Sequence, residues 1–138
     1  MHCYTCWVLL AHDLAKSPAP PELQRVGGNT WLDHTTILAF SEFSRTPLFN
    51  PFGGRDHHLT SSCLLAGAGI VGNQVVGASG DVGMGPGRYD FKEKRVATGG
   101  GGDNIKPEHV AATVLASAGL DPGGALIREP PLSVLLKG

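Results

Sequence analysis

The sequence lacks an excess of charge of either sign. It has 11 lysines and arginines against 12 aspartates and glutamates, a net charge near −1. That removes the electrostatic ground for expecting nucleic acid or an anionic membrane as a partner. Long apolar runs are missing as well, and none approaches the ~18 residues of a membrane span. The first residues hold no basic segment and no small-residue cleavage site. No export signal is therefore read, and the chain as given is expected to be cytoplasmic. Cysteine is scarce, at three residues. Cys3 and Cys6 have C-x-x-C spacing, but the second ligand pair that zinc sites usually need does not follow. They stand either as a metal or redox pair, with His2 and His12 nearby, or as two ordinary thiols on a first turn of helix. Cys63 sits in an apolar run and reads as a small buried hydrophobe. No G-x-S-x-G elbow surrounds Ser41, Ser44, Ser61 or Ser62, so none of them reads as a nucleophile.

What is present is glycine and proline, 20 and 10 in 138 residues, with 41% hydrophobic and only 17% charged residues. Such a composition predicts a loop-rich α/β protein, one domain over residues 1–138, with a modest core. Residues 4–16 place Trp7, Leu10 and Leu14 at helical spacing, and the following SPAPP ends that helix. Residues 17–30 read as a connector. Residues 35–40, Thr-Thr-Ile-Leu-Ala-Phe, are β-rich and apolar on both faces, so they read as a buried parallel strand. A second strand is expected over 62–66, and short arms around Gly72-Asn73 and over 89–96. The last helix starts at Pro107, with Glu108 in its first turn, and stops at Gly119. Its apolar stripe reads as Val110, Ala111, Val114, Leu115 and Ala118, with His109 exposed. The tail from residue 125 ends in an apolar segment expected to pack back on the core.

Chemistry concentrates in residues 35–65. Between the two expected strands lies a long loop broken by Pro47, Pro51, Gly53 and Gly54. A loop of that length in a compact domain is usually functional or disordered, and its ionisable groups favour function. Asp56, His57 and His58 are consecutive, and Glu42 lies just past the first strand. Carboxylate and imidazole together suit zinc, manganese or iron, and the cofactor expected is a divalent metal: zinc, manganese or calcium. The bland alternative has the histidines capping the loop and Asp56 paired with Arg55 or Arg45. Arg45 and Arg55 suit a phosphate, sulfate or carboxylate group, since a guanidinium fork matches two oxygens at once. Equally, they could staple the loop through Glu42 and Asp56. Gly67-Ala68-Gly69-Ile70-Val71-Gly72 is formally G-x-G-x-x-G, but residues 73–80 do not look helical, so a dinucleotide site is not read there. Gly99 to Gly102 lack the Lys-Ser/Thr ending of a phosphate loop. Asp33 and His34 precede the strand and read as structural.

The stretches WLDHTTILAFSEFSRTP, GGRDHH, LLAGAGIVGNQVVGAS, KPEHVAATVLASAGLDP and PLSVLLKG, in that order, closely resemble one family. It is the sulfatase-like domain-of-unknown-function family fifteen-oh-one, of the alkaline phosphatase superfamily. The resemblance implies a partial three-layer α/β/α fold with a mostly parallel sheet and long glycine-rich loops. It implies that this chain corresponds to the C-terminal portion of a larger domain whose full-length form is periplasmic or exported. The superfamily's chemistry uses divalent metals beside a nucleophile that attacks a phosphate or sulfate ester. On that pattern Glu42, Asp56, His57 and His58 are metal ligands, and Arg45 and Arg55 contact a small anionic ester. Phe43 departs from the family superfamily's ligand pair after the strand, and the nucleophile's half has no counterpart here. Inactivity of this chain alone is therefore expected. Exposed sheet edges imply a homo-oligomer or a covering partner. The competing expectation is a non-catalytic binding or assembly module whose loop is held by Arg–carboxylate pairs.

Overall fold

Proline sets the first boundary. Helix α1, Tyr4–Lys16, runs to the residue before SPAPP, and Ser17 N–H closes its last turn on Asp13 O at 2.9 Å. The computed structural model describes residues 4–99 and 101–138, so the expectation for His2, Cys3 and Cys6 as a ligand set lies outside what is described. The connector is more ordered than a plain linker. It contains the short helix α2, Pro21–Gln24, and its ends are tied by Ala19 N–H to Asn29 O at 2.8 Å and Trp31 N–H to Ser17 O at 3.0 Å.

A 3-10 turn, Trp31–His34, leads into the first strand. Asp33 organises this entry. Its Oδ2 accepts from Thr30 N–H (2.9 Å), Thr30 Oγ1 (2.8 Å) and Asn29 N–H (3.0 Å). These donors, Thr30 foremost, hold the carboxyl below its ordinary pKa range. The structural reading of Asp33 is thereby met. A Cβ on Gly28 would lie 2.4 Å from Asp33 Cβ, so the turn that delivers these donors has room only for glycine.

Strand β1, Thr36–Phe40, pairs with β4, Cys63–Gly67, in antiparallel register from Thr36 opposite Gly67 to Phe40 opposite Cys63. This corrects the expected parallel strand. Ile37 and Ala39 are buried while Phe40 is 70% exposed, so the strand alternates and is not apolar-covered on both sides. Its long connection to β4 doubles back as a hairpin instead of crossing over through a helix. No parallel pair or three-layer arrangement occurs among the described residues; the strands form small antiparallel sheets of two, two and three strands. Cys63 is exposed at the open end of β4, opposite Phe40, and is not the buried hydrophobe expected.

The glycine-rich stretch after β4 contains no hairpin arm at Gly72-Asn73. It holds two isolated bridges, Ile70 to Leu136 and Ser79 to Pro86. The expected arm over 89–96 is present as β5, Arg88–Asp90, and β6, Arg95–Val96, with β7, Asp103–Asn104, on the other side of β5. Asp90 Oδ1 accepts from Lys92 N–H (2.9 Å) and Glu93 N–H (3.0 Å) to make the β5–β6 turn.

Helix α3, Pro107–Ser117, has proline at its start and Gly119 at φ +74 past its end. Gly119 N–H reaches Ala116 O and Leu120 N–H reaches Leu115 O, both at 3.0 Å, which caps the last carbonyls as a left-handed glycine allows. The buried face is not the aliphatic stripe. It is His109, Ala112 and Thr113, at 4%, 0% and 0% exposure. His109 therefore corrects the expectation of an exposed residue. Its ring lies 4.4 Å from Phe91, and its Nδ1 lies 2.9 Å from Pro130 O, so it donates there. Thr113 Oγ1 donates to His109 O (2.6 Å) and accepts Leu132 N–H (2.8 Å). Deleting that acceptor would strand a buried N–H, a cost of about 1–3 kcal/mol. The tail packs back as expected: Leu132 is 5% exposed, Val71 N–H bonds Leu135 O at 2.8 Å, and Lys137 N–H bonds Gly69 O at 2.9 Å. The Lys106–Glu129 pair, 2.6 Å apart, closes the same junction at the surface.

Candidate functional site

The loop between β1 and β4 folds as an arm. Inside it, β2, Ser44–Arg45, pairs with β3, His57–His58, so that Arg45 faces His57 and Ser44 faces His58. The ladder extends by one step, Thr46 N–H to Asp56 O at 2.9 Å, and Asp56 N–H returns to Thr46 Oγ1 at 3.1 Å. Beyond it the tip is built on Asn50. Its Oδ1 accepts from Phe52 N–H (3.0 Å) and Gly54 N–H (2.9 Å), and its Nδ2 donates to Asp56 Oδ1 (2.8 Å). Asn50 was not among the expected site residues. The signal for it is in the sequence, since Asn-Pro-x-Gly-Gly is turn chemistry with a self-bonding amide at its head.

The expected ligands are placed as follows. His57 stacks on Phe43, ring centroids 3.6 Å apart and planes 17° apart. Phe43, which cannot ligate a metal, thus has a positive use as the platform for His57. The Arg45 guanidinium lies 4.7 Å from the same ring centre, and its Nη1 donates to Arg55 O at 3.0 Å. The Arg55 guanidinium lies 4.7 Å from the Phe49 ring centre. Stacking of this kind suits the flat, weakly hydrated guanidinium.

His58 has both ring nitrogens engaged. Thr60 N–H donates to Nδ1 at 3.1 Å, which makes Nδ1 the acceptor. Nε2 therefore carries the proton and donates to Gly83 O at 2.8 Å. As folded, this imidazole offers no lone pair to a metal. It ties the arm to the 81–84 turn instead. Glu42 is exposed, with Ser41 Oγ 3.4 Å from its Oε2.

Among the described residues, no three His, Cys, Asp or Glu side chains converge as a metal site would need. Asp56 and His58 share a cleft of about 300 Å³, lined also by Thr46, Pro47, Leu48, Phe49, Asn50 and Gly83. His57 and Glu42 are not in its lining. Nor do the expected staples form. The ion pairs among the described residues are His12–Asp13 and Lys106–Glu129, and neither involves Arg45 or Arg55. The arm is held by an amide, by aromatic stacking and by backbone bonds, where carboxylate–guanidinium pairs were expected.

The arm also carries apolar side chains into solvent. Leu48 is 78% exposed, Phe49 69%, Phe52 96% and Leu59 98%. Sequence reading of the polar residues passed over these four.

A family model described as "Protein of unknown function (DUF1501)" matches residues 23–126. That range takes in the whole arm, both of its flanking strands and all of α3. No curated protein and no solved structure matches the chain.

Proposed function

We propose, for a chain that belongs to the DUF1501 family of proteins of unknown function, that it is the C-terminal portion of a metal-dependent phosphate- or sulfate-ester hydrolase-like protein of the alkaline phosphatase type. In that reading the larger fold is three-layered with a mostly parallel sheet, and the full-length form is exported. The observation that supports the reading best is the β2–β3 ladder. It sets Arg45 opposite His57, with the Arg45 guanidinium on the Arg55 carbonyl and Asp56 directly before His57, residues ten or so apart in the chain. Two stacked guanidinium groups there would bind the anionic oxygens of an ester. Glu42, Asp56 and His57 would supply part of a ligand set for zinc, manganese or calcium. His58 does not fit that set while Gly83 and Thr60 hold it. On this reading the chain alone does not catalyse hydrolysis, because the arm's serines, Ser41, Ser44 and Ser61, spend their hydroxyl protons on backbone carbonyls.

A second reading has its own support: the arm is a non-catalytic binding or assembly module. The engaged His58 and the exposed apolar residues favour it.

Metal analysis of the purified chain decides between them. The first reading expects stoichiometric divalent metal, lost in both Glu42→Ala and His57→Ala, and no turnover of an aryl phosphate or aryl sulfate. Absence of bound metal, together with no thermal shift on adding zinc, manganese or calcium, would sink the first reading and leave the second. Turnover abolished by His57→Ala would instead show that the half-site is wrong and the chain is complete.

A further inference from the structure

The molecule exposes too much surface for its size. Its accessible area is 9777 Å² at 14.4 kDa, whereas a folded monomer of that mass exposes roughly 6,800 Å². The excess, about 2,900 Å², is of the order that each partner of a large obligate interface loses to water. The arm exposes Leu48, Phe49, Phe52 and Leu59, and Val82 is 94% exposed on the turn that His58 clasps. Large apolar side chains left in solvent on one projecting arm are what an interaction surface presents.

The charges on the arm say what fits it. Arg45 and Arg55 share it with Glu42 and Asp56, and none of these four takes part in an ion pair among the described residues. A patch with apolar residues and unpaired charges of both signs is complementary to itself. A two-fold axis through it sets the cations of one copy against the carboxylates of the other, as isologous interfaces require. The net charge near −1 puts no general repulsion in the way.

We propose that the arm is a self-association surface, occupied by the arm of a second copy of this chain. Leu48, Phe49, Phe52 and Leu59 form its dry centre, and Arg45 and Arg55 face Glu42 and Asp56 across the axis. The inference rests on the assembly reading and not on the metal reading.

Sedimentation velocity in the presence of a chelator tests it, so that metal bridging cannot produce the dimer. The wild-type chain should be a discrete dimer at micromolar concentration. Phe52→Asp with Leu59→Asp should raise the dissociation constant at least about 100-fold, because central apolar anchors dominate such interfaces. Both side chains are almost fully exposed in the single chain, so its circular dichroism should not change. A second pair of proteins checks the pairing of charges. Arg45→Glu/Arg55→Glu and Glu42→Arg/Asp56→Arg should each be monomeric, and an equal mixture should form a heterodimer. A wild-type monomer at about 100 µM, where even weak specific pairs associate, would overturn the proposal. So would an undiminished dimer in the aspartate double variant, or a mixture that stays monomeric. A monomer that binds metal would leave the ester-hydrolase reading standing.

Discussion

At the junction of α3 with the tail, His109 and Thr113 bind backbone atoms 21 and 19 residues away, and both side chains are buried. On the arm, Asn50 binds Phe52, Gly54 and Asp56, none more than six residues away, at the surface. The junction spends its polar side chains on fastening distant segments in a dry place. There a missing partner is costly, because water cannot replace it. The arm spends its polar side chains on its own shape and leaves Phe49, Phe52 and Leu59 in solvent. The first arrangement makes a scaffold. The second makes a preformed projection whose outer face has no covering among the described residues.

Substitutions can break this contrast. The largest effect is expected at Gly69, where φ is +70 and a Cβ would lie 2.2 Å from Ser117 O at the end of α3. Gly69→Ala should cost about 3 kcal/mol, from the left-handed backbone and the clash together, read as a lowered midpoint of denaturant unfolding. An unchanged midpoint would mean that the close approach of this turn to α3 is not needed. A smaller effect is expected on the arm. Asn50→Ala removes three local bonds at an exposed site, worth about 1 kcal/mol in all, since water can take over most of them. If Asn50→Ala destabilised the chain as much as Gly69→Ala, the arm would be part of the scaffold and the contrast would fail.

The parts of this fold that sequence made legible are those set by near neighbours. Helix α1 stops at SPAPP, and α3 starts at Pro107 and ends at Gly119, because proline and glycine act on their own turns. Strand pairing was less legible. Ile37, Leu38 and Ala39 are all apolar, and only the pairing with Cys63–Gly67 shows which of them face the core. The burial of His109 depends on Phe91 and Pro130, which come from other segments. No local pattern announces such contacts.

The arm divides in the same way. Its place in the chain was legible from the density of Glu42, Arg45, Arg55, Asp56, His57 and His58. Their partners were not. Opposite charges close in sequence suggest ion pairs, but the ladder sets Arg45 against His57, and Asn50 takes the Asp56 oxygen first. Phe43 looked like a lost ligand and proves to be the ring on which His57 stacks. The family resemblance is met by the family match over residues 23–126, whereas the mostly parallel sheet it implied is replaced among the described residues by small antiparallel ones.

Native-state amide hydrogen exchange measures the contrast between arm and scaffold most directly. It is best done on the Phe52→Asp, Leu59→Asp protein, so that self-association does not shield the arm. The amides of Leu132, Val71 and Lys137 should exchange only with global unfolding, since they join segments far apart in the chain. Those of Thr46, Asn50 and Gly54 should exchange faster, through an opening of the arm that leaves the junction closed. Equal protection of both sets would contradict the account, because it would make the arm and the scaffold a single cooperative unit.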